Sequence, residues 1–362
     1  MDTSPTPVFS ALAQPNAASQ HGPRPLPLFL NILWRETQDD PELRRRAFQG
    51  LRKYQEASRP SPPPAPPTFA SSGGARLLRY GADNGRAPVV FVPSLINPPQ
   101  VLDLSPSRSL LRHMGAAGHD AYLVDWGVPA EHDAALGLDG HVSERLVPLL
   151  QSLARAPILV GYCLGGNLAI GAAASMETRA VATIATPWNF DGFPAADRDQ
   201  IATLWQGAKP MCERLGYIPM EVLQSGFWAM DPARTIRKYA AFTEMHAGSE
   251  EERAFLAVED WANGGPPLTF GAGRDLFEEF YAANASGLGR WHIGGKRIDP
   301  ADLTCPTVSI RSAQDRIVPA AAAPEMAEEV TLALGHVGMI VGGNARQRLW
   351  DPLSQWLCTH GG

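Results

Sequence analysis

The sequence predicts an α/β fold with a mostly parallel central sheet and an inserted helical cap. Short β-branched runs alternate with helical segments along most of the chain, and strands separated by helices are typical of parallel sheets covered on both faces. One such run leads through a glycine-rich turn into an alanine-rich helix. Between about Asn189 and Trp291 the alternation stops and the chain becomes helical and rich in aromatic residues, which indicates a cap inserted between two strands.

The individual elements follow from the spacing of apolar residues. Strands are predicted for residues 89–92, 121–126, 158–162, 181–186, 307–311 and 330–333, and helices for residues 107–117 and 141–154. We therefore divide the chain into a flexible N-terminal segment (1–68), the first part of the core (69–188), the inserted cap (189–290) and the second part of the core (291–362).

The N-terminal segment precedes this pattern of strands and helices. Residues 1–22 are rich in proline, alanine, serine and glutamine without periodicity, so we expect them to be disordered. Residues 40–57 predict a helix, since Pro41 suits a first turn after an aspartate cap. The arginine-rich face of this helix is either solvated or a docking surface for a partner. The proline-rich residues 60–67 predict a linker, so removal of residues 1–67 should leave a folded domain.

The composition excludes several classes of function. A net charge of -6 and a pI near 5.9 provide no basic surface for nucleic acid. The apolar residues 26–34 are far fewer than the roughly 20 of a membrane span and lack the features of a signal peptide, so we expect a cytoplasmic protein without a membrane span. The four cysteines lie far apart and lack the spacing of a zinc site, so we expect no disulfide, no metal and no cofactor.

The glycine-rich turn has the pattern of a nucleophile elbow. It reads Gly161-Tyr-Cys-Leu-Gly165, with Cys163 where serine is commoner. Glycine suits both flanks because the elbow packs strand against helix tightly and strains its central residue. The dipole of the following helix favours the thiolate of Cys163. The sequence therefore predicts Cys163 as a nucleophile rather than a buried structural cysteine.

An acid and a histidine follow the nucleophile, each after a later strand. Asp315 comes after the predicted strand 307–311, and His336 comes after the last predicted strand. The order nucleophile, acid, histidine is that of the α/β-hydrolase fold. Asp315 alone could cap a turn and His336 alone could be an ordinary loop histidine. Their joint placement after two late strands predicts a triad of Cys163, Asp315 and His336.

Two backbone amides should stabilise the oxyanion that forms on attack. One is the N–H of Leu164, directly after the nucleophile. The other comes from the loop after the first central strand, where the sequence does not separate Leu95 from Ile96. Asp125 is a competing acid at the end of another strand, but it precedes the nucleophile, so we assign it a structural role.

Six stretches and two loops together resemble a known family. They are residues 92–110, 122–127 (Tyr-Leu-Val-Asp-Trp-Gly), 161–166 (Gly-Tyr-Cys-Leu-Gly-Gly), 186–190 (Thr-Pro-Trp-Asn-Phe), 259–261 (Glu-Asp-Trp) and 291–299, with the loops of Asp315 and His336. These stretches are similar to the polyhydroxyalkanoate synthases, especially the short catalytic subunits of class III. The likeness spans roughly residues 69–357.

The resemblance implies an acyltransferase. In that family Cys163 would accept the acyl group of an (R)-3-hydroxyacyl-CoA and release CoA, with His336 as general base and Asp315 assisting, and repeated transfer would build a polyester. The resemblance also implies a cap over the active site, a homodimer, a second synthase subunit in class III systems, and a place at the surface of cytoplasmic polyester granules. CoA thioester enters as substrate, and no cofactor is implied.

The chain departs from the family pattern at three places. Arg316 follows the acid where histidine is usual, Leu334 stands where a small residue is common, and residues 262–266 replace a turn rich in asparagine and aspartate. These departures bear on substrate range and polymerisation more than on the triad. Two alternatives remain open: a hydrolase on the same scaffold, such as a thioesterase or an intracellular polyester depolymerase, and a non-catalytic granule-associated relative.

Overall fold

The computed structural model describes residues 22–59 and 63–361, and most of its strands belong to one sheet. The strands are β1 (Thr68–Ser72), β2 (Ala75–Arg79), β3 (Val89–Val92), β4 (Asp103–Ser105), β5 (Arg108–Ser109), β6 (Ala121–Asp125), β7 (Ile158–Tyr162), β8 (Ala180–Ile184), β9 (Tyr217–Ile218), β10 (Leu268–Thr269), β11 (His292–Ile293), β12 (Lys296–Arg297), β13 (Thr307–Ser312) and β14 (Glu328–Leu332). Within the described residues, eight of them form the central sheet in the order β1-β2-β6-β3-β7-β8-β13-β14.

The central sheet is mostly parallel. From β6 through β3, β7, β8 and β13 to β14, each strand runs parallel to its neighbour, whereas β1 and β2 pair antiparallel at one edge. All the predicted strands are present, and their ends differ from the prediction by no more than two residues. The parallel sheet predicted from the sequence is therefore confirmed.

Helices surround the strands in the order that the alternation predicts. They are α1 (Leu26–Glu36), α2 (Pro41–Glu56), α3 (Leu110–Ala116), α4 (Leu138–Gly140), α5 (Val147–Gln151), α6 (Leu164–Ser175), α7 (Ala195–Leu215), α8 (Met220–Met230), α9 (Pro232–Phe242), α10 (Glu250–Ala262), α11 (Phe270–Arg274), α12 (Gly338–Val341) and α13 (Asp351–His360). Wider helical turns span His141–Leu146, Asp275–Ala282 and Arg346–Trp350.

Both faces of the sheet are covered because successive strand residues point to opposite sides. In β3, Val90 and Val92 belong to one apolar cluster, and Val89 and Phe91 belong to another. The first cluster includes buried residues of α6, and the second includes buried residues of α3, α12 and α13. The sheet therefore forms the middle layer between helices, and the carboxyl ends of its parallel strands share one edge.

The described chain falls into two compact units. The described residues up to 59 form one unit with residues 232–256, and residues 63–231 form the other with residues 257–361. The central sheet lies entirely in the second unit.

The first unit is built on a close crossing of α2 and α9. At Gly50 of α2 an added methyl group would lie 1.8 Å from the Tyr239 carbonyl oxygen, so only glycine allows the two backbones to approach this closely. The buried rings of Tyr54 and Phe29 pack edge-on against Tyr239, with centroids 5.7 and 4.9 Å from it. The unit therefore has an apolar core of its own.

The basic residues of α2 contact their own unit. Lys53 Nζ donates to the carbonyl of Phe242 at 3.1 Å, at the C-terminal end of α9. Arg46 pairs with Glu244 just beyond that end. Lys53 thus satisfies a carbonyl at the helix terminus, where the macrodipole favours positive charge. The predicted helix is confirmed, and part of its basic face is used for packing within the unit.

The structure groups residues differently from the division made on the sequence. Residues 232–256 fall inside the predicted cap (189–290), yet they form a unit with α1 and α2 of the segment predicted to be flexible (1–68). Because these helices are buried against residues 232–256, we now expect removal of residues 1–67 to damage the fold. The segment predicted to be disordered lies, up to residue 21, outside the described residues, as do residues 60–62 of the predicted linker. The four-part domain division itself stays a prediction.

None of the helices in the described ranges combines the length and the apolar character needed to cross a membrane. Residues 22–59 and 63–361 also contain no group of three or more histidine, cysteine, aspartate or glutamate side chains placed to hold a metal ion.

Candidate active site

A sharp turn between β7 and α6 carries Cys163. Its backbone has a φ of 54° and a ψ of -132°, a conformation that residues with a side chain rarely adopt. The side chain is partly exposed, and α6 begins at the next residue, Leu164. The thiol therefore lies at a helix N-terminus, where the helix dipole favours negative charge.

The glycines around Cys163 make room for this turn. A methyl group at Gly161 would lie 2.3 Å from the Cα of Gly166, and one at Gly165 would lie 2.1 Å from the carbonyl oxygen of Val92 in β3. Both distances are far below a normal contact between heavy atoms. The strand-turn-helix arrangement predicted from the glycine spacing is thus present, and its glycines are required sterically.

The loops after β13 and β14 bring Asp315 and His336 together. His336 Nδ1 donates to Asp315 Oδ2 at 2.6 Å, and both side chains are buried. Asp315 Oδ1 accepts the backbone N–H groups of Ile317 at 2.8 Å and Val318 at 3.0 Å. This pattern of hydrogen bonds assigns the proton to Nδ1 and leaves Nε2 as the ring nitrogen that can exchange a proton with Cys163.

Ser312 connects the two loops at their base. Its hydroxyl donates to the carbonyl of Leu334, two residues before His336, and accepts the N–H of Gln314 at 3.1 Å. Because β13 and β14 also pair in parallel up to Ser312, the loops leave the sheet at a fixed separation. The spacing between acid and histidine is therefore set by the sheet itself.

The His336 imidazole interacts with both Cys163 and Asp315. Burial alone would lower the pKa of His336, because it disfavours the charged ring. The negative charge and hydrogen bond of Cys163, together with the hydrogen bond and charge of Asp315, outweigh burial and raise that pKa to about 10. The two neighbours thus favour the protonated form of the His336 ring.

Tyr162 is a residue of the site that the sequence did not single out. Its hydroxyl donates to the backbone carbonyl of His336 at 3.2 Å, and its ring centroid lies 5.2 Å from the imidazole. Burial, followed by the charges of Cys163 and Asp315, raises the pKa of Tyr162 well above its ordinary value, so the phenol stays neutral and remains a donor. The only sequence signal for this role is its position inside the elbow motif.

A second tyrosine, Tyr281, lies near Cys163 and within the predicted cap. Its ring packs edge-on against Phe190 and Phe193, with centroids 4.8 and 5.2 Å away. Burial and the nearby charge of Cys163 raise the pKa of Tyr281. Tyr281 therefore connects an aromatic cluster with the surroundings of Cys163.

The loop after β3 contains the two residues proposed to supply an oxyanion amide. The N–H of Ile96 donates to Ser94 Oγ at 3.0 Å and is therefore engaged. Among the described residues, no hydrogen bond involves the N–H of Leu95. The loop is held from outside by Trp126, whose indole donates to the Pro93 carbonyl at 3.0 Å. The geometry thus favours Leu95 over Ile96 as partner of Leu164, which directly follows Cys163.

The remaining acids near the site have other partners. Asp125 accepts from Arg76 at 2.5 Å and from the N–H of Gly127 at 3.0 Å, which fits the structural role assigned to it. Arg316, which replaces the family histidine, pairs with Asp231 at 2.7 Å, directly after α8. Arg316 therefore links the loop of Asp315 to the end of α8, which lies in the predicted cap.

Comparison with proteins of known identity supports the family resemblance. No model of a known protein family matches the chain. It is 28% identical over 305 residues to the poly(3-hydroxyalkanoate) polymerase subunit PhaC of Allochromatium vinosum, a match that covers 78% of this chain and 84% of the relative. The chain resembles the poly(3-hydroxyalkanoate) polymerases. A polymerase subunit PhaC of Haloferax mediterranei is also 28% identical over 305 residues, and the match spans 61% of that relative's length.

Further similarities agree with this resemblance. The poly(3-hydroxyalkanoate) polymerase subunit PhaC of Synechocystis is 26% identical over 292 residues, covering 75% of this chain and 77% of the relative. Among solved structures, a thermophilic esterase from Thermogutta terrifontis superposes with a TM-score of 0.52 at 14% identity, covering 83% of this chain and 99% of the esterase. That likeness, with the sheet described above, confirms the predicted α/β-hydrolase fold.

Proposed function

We propose that this protein is an acyltransferase that polymerises (R)-3-hydroxyacyl-CoA through an acyl-enzyme at Cys163. The observation that carries the proposal is the placement of a strained elbow cysteine beside a buried histidine that is hydrogen-bonded to a carboxylate. The relatives that this chain resembles are named as polymerase subunits. The chemistry uses CoA thioester as substrate and needs no cofactor.

In the first half of the reaction, the thiolate of Cys163 attacks the thioester carbonyl. The carbonyl electrons move onto oxygen, where the backbone N–H groups of Leu164 and Leu95 stabilise the negative charge. When the tetrahedral intermediate collapses, the C–S bond to CoA breaks and the CoA sulfur takes the electron pair. The imidazolium of His336 can supply its Nε2 proton to that sulfur. A thiolate suits this exchange because it is as good a nucleophile as the thiolate that leaves.

Acylation changes the protonation of His336 for the second half. Once Cys163 is a neutral thioester, the charge that helped to raise the pKa of His336 is gone, and the hydrogen bond to Asp315 remains. The neutral imidazole then accepts the proton of a 3-hydroxyl group, whose oxygen attacks the acyl-enzyme. The new ester bond forms as the bond to Cys163 breaks, and the thiolate is regenerated.

The aromatic cluster of Tyr281, Phe190 and Phe193 supports transfer to a hydroxyl in preference to water. Tyr281 lies near Cys163 and packs against both phenylalanines, which gives it an apolar surface. Such a surface admits an acyl chain with its hydroxyl while it limits bulk water. We place the protein in the cytoplasm, at the surface of the polyester it makes, as a homodimer with a second synthase subunit as a further partner. Size measurements on the purified protein, alone and with the subunit, test the assembly.

The proposal is tested with purified protein and 3-hydroxybutyryl-CoA, by following CoA release and the fate of the acyl group. Polymer with CoA release is expected, and free 3-hydroxy acid would instead identify a thioesterase. Cys163→Ala should abolish CoA release, because no acyl-enzyme can form. Cys358→Ala is the matched control, since this thiol is free and exposed, and it should keep full activity. Full activity in Cys163→Ala would contradict the proposal.

A further inference from the structure

An open groove lies beside the oxyanion loop, at the carboxyl edge of the central sheet. Its volume is about 490 Å³, a size typical of ligand sites. It runs between the loop after β3 and the residues that follow β6. Leu95 lines its inner part and is buried, whereas Val128 at its outer part is 70% exposed. The groove therefore leads from the oxyanion loop to solvent.

The walls of the groove are largely aromatic and apolar, and their uncharged polar side chains are those of Asn97 and Gln100. Trp126 donates its indole N–H to the Pro93 carbonyl, and Trp261 donates its indole N–H to the Pro98 carbonyl at 2.8 Å. Both indoles line the groove with their N–H groups already paired. Of the described residues that line the groove, the charged ones are Arg76 and Asp125, which pair with each other at 2.5 Å.

This charge pattern selects a neutral occupant. A CoA moiety carries several phosphate charges, which require a surplus of cations or free donors. The groove offers no surplus of cations, since its one arginine is neutralised by a carboxylate, and its uncharged side-chain donors are limited to the amides of Asn97 and Gln100 and the paired indoles. A polyester chain has no charge along its length, and its methylene and methyl groups gain from contact with tryptophan and proline side chains. The lining therefore matches polyester and not CoA.

The position of the groove relative to the triad agrees with such an occupant. In the sheet, the loops after β13 and β14, which contain Asp315 and His336, lie on one side of β7. The groove lies on the other side, next to β3 and β6. The attacking hydroxyl and the leaving CoA sulfur must both lie near His336, because they exchange protons with it. The side of the site beyond the oxyanion loop is therefore available to the part of the polyester chain that is not reacting.

We infer that this groove binds the growing polyester next to the acyl-enzyme and leads it from the oxyanion loop to the surface. The inference rests on the proposed polymerising function and adds a binding site to it. A bound chain stays close to Cys163 between transfers, so the groove sets how many units are added before the chain is lost.

The test places a charge at the mouth of the groove. Val128→Glu puts a carboxylate where the neutral chain would pass, and desolvating that carboxylate opposes binding of the chain. Polymer from the variant should be shorter by roughly threefold or more, the effect of a modest loss of affinity. CoA release in the first turnover is measured as well, so that a change in acylation is told apart from a change in chain length. Chain length is measured by size-exclusion chromatography with light scattering.

Two further variants make the result specific. Met211→Glu introduces the same charge at another exposed apolar side chain, on α7 and outside the groove lining, and should leave chain length unchanged. Val128→Ile keeps the groove apolar and should also retain long chains. Equal chain lengths in Val128→Glu and Met211→Glu would overturn the inference while the proposed function stands.

The remaining outcomes are separated by the same measurements. If Val128→Glu leaves chain length unchanged but raises KM for thioesters with longer side chains, the groove binds the incoming monomer and the inference is wrong. If the wild-type protein releases only free acid, the proposed function fails, and the assignment of the groove to polyester fails with it.

Discussion

His336 contacts two groups that behave differently during the proposed reaction. Asp315 is held by two backbone N–H groups and stays bonded to Nδ1, whereas the thiolate of Cys163 is consumed when the acyl-enzyme forms. Both contribute to the raised pKa of His336. The imidazole is therefore suited to donate a proton while Cys163 is charged and to accept one after acylation.

This difference predicts that substitutions of His336 and of Asp315 affect the two halves of the reaction differently. His336→Gln should slow CoA release and elongation alike, by the roughly 10²- to 10⁴-fold that loss of a general base costs. Asp315→Asn should slow elongation more, because the thiolate and the helix N-terminus still support acylation. Single-turnover experiments on Asp315→Asn should show a burst of CoA followed by a persistent acyl-enzyme. Equal slowing of both steps would reject the divided role, and no slowing would mean that the acid is another residue.

The raised pKa of His336 also predicts a pH dependence of stability. Because its folded pKa of about 10 lies above its ordinary value of 6.5, the protonated ring stabilises the fold fully below pH 6.5, and this contribution is lost as pH rises to about 10. The free energy of unfolding of the wild-type protein should therefore fall more steeply between pH 6.5 and 10 than that of His336→Gln. Urea denaturation at several pH values measures both slopes, and parallel curves would contradict the ion pair with Cys163.

At the scale of single residues, the sequence predicts the candidate catalytic side chains better than the residues that surround them. Glycine spacing and strand order predict Cys163, Asp315 and His336, and the structure brings the acid and the histidine into contact. The sequence does not separate Leu95 from Ile96, because the difference between them depends on a hydrogen bond to Ser94 Oγ. Tyr281 lacks a local signal, since tyrosines are common in apolar segments, and the only signal for Tyr162 is its position inside the elbow motif.

Among the elements, the elbow helix α6 has little steric freedom. It packs on β3 at Gly165, where a methyl group would contact backbone rather than a movable side chain. Gly165→Ala should therefore destabilise the protein by about 1–3 kcal/mol, the cost of overpacking, and displace Cys163. Thermal unfolding and CoA release both report this change.

Gly207 on α7 provides the matched control for this substitution. An added methyl group there meets no heavy atom within 4 Å. Gly207→Ala should raise stability slightly, by up to about 1 kcal/mol, since alanine is the better helix former. If both variants had the same unfolding midpoint as wild type, the tight packing of the elbow would be wrong.

The strand pattern was predictable because parallel strands buried on both faces read as short apolar runs with glycine or proline between them. The edge strands β1 and β2 were not predicted individually, since they are half exposed and lack such runs. The pairing of α2 with α9 could not be predicted either. Their contact joins residues far apart in sequence, and the proline-rich stretch between α2 and β1 looked like a separator.

At the scale of the whole molecule, the chain makes two compact units whose sequences interleave. The unit with the sheet holds Cys163, Asp315 and His336, and the other holds the N-terminal helices with residues 232–256. Residues 232–256, within the predicted cap, thus complete an apolar core to which the N-terminal helices also contribute. The first unit cannot form from either segment alone, because each supplies only one side of its apolar core.

This interleaving predicts that the N-terminal helices are needed for stability. A protein lacking residues 1–59 would expose Tyr239 and Phe242, which are buried in the intact unit, and should aggregate or unfold at a lower temperature. Tyr54→Ala tests the same core in the full chain and should cost about 3 kcal/mol or more, because a buried aromatic ring is lost. The control is Arg52→Ala, whose side chain is mostly exposed and should matter little. Thermal unfolding with light scattering measures all three proteins. If the truncated protein keeps the wild-type midpoint and stays monodisperse, the N-terminal helices are dispensable, as the proline-rich linker in the sequence indicates.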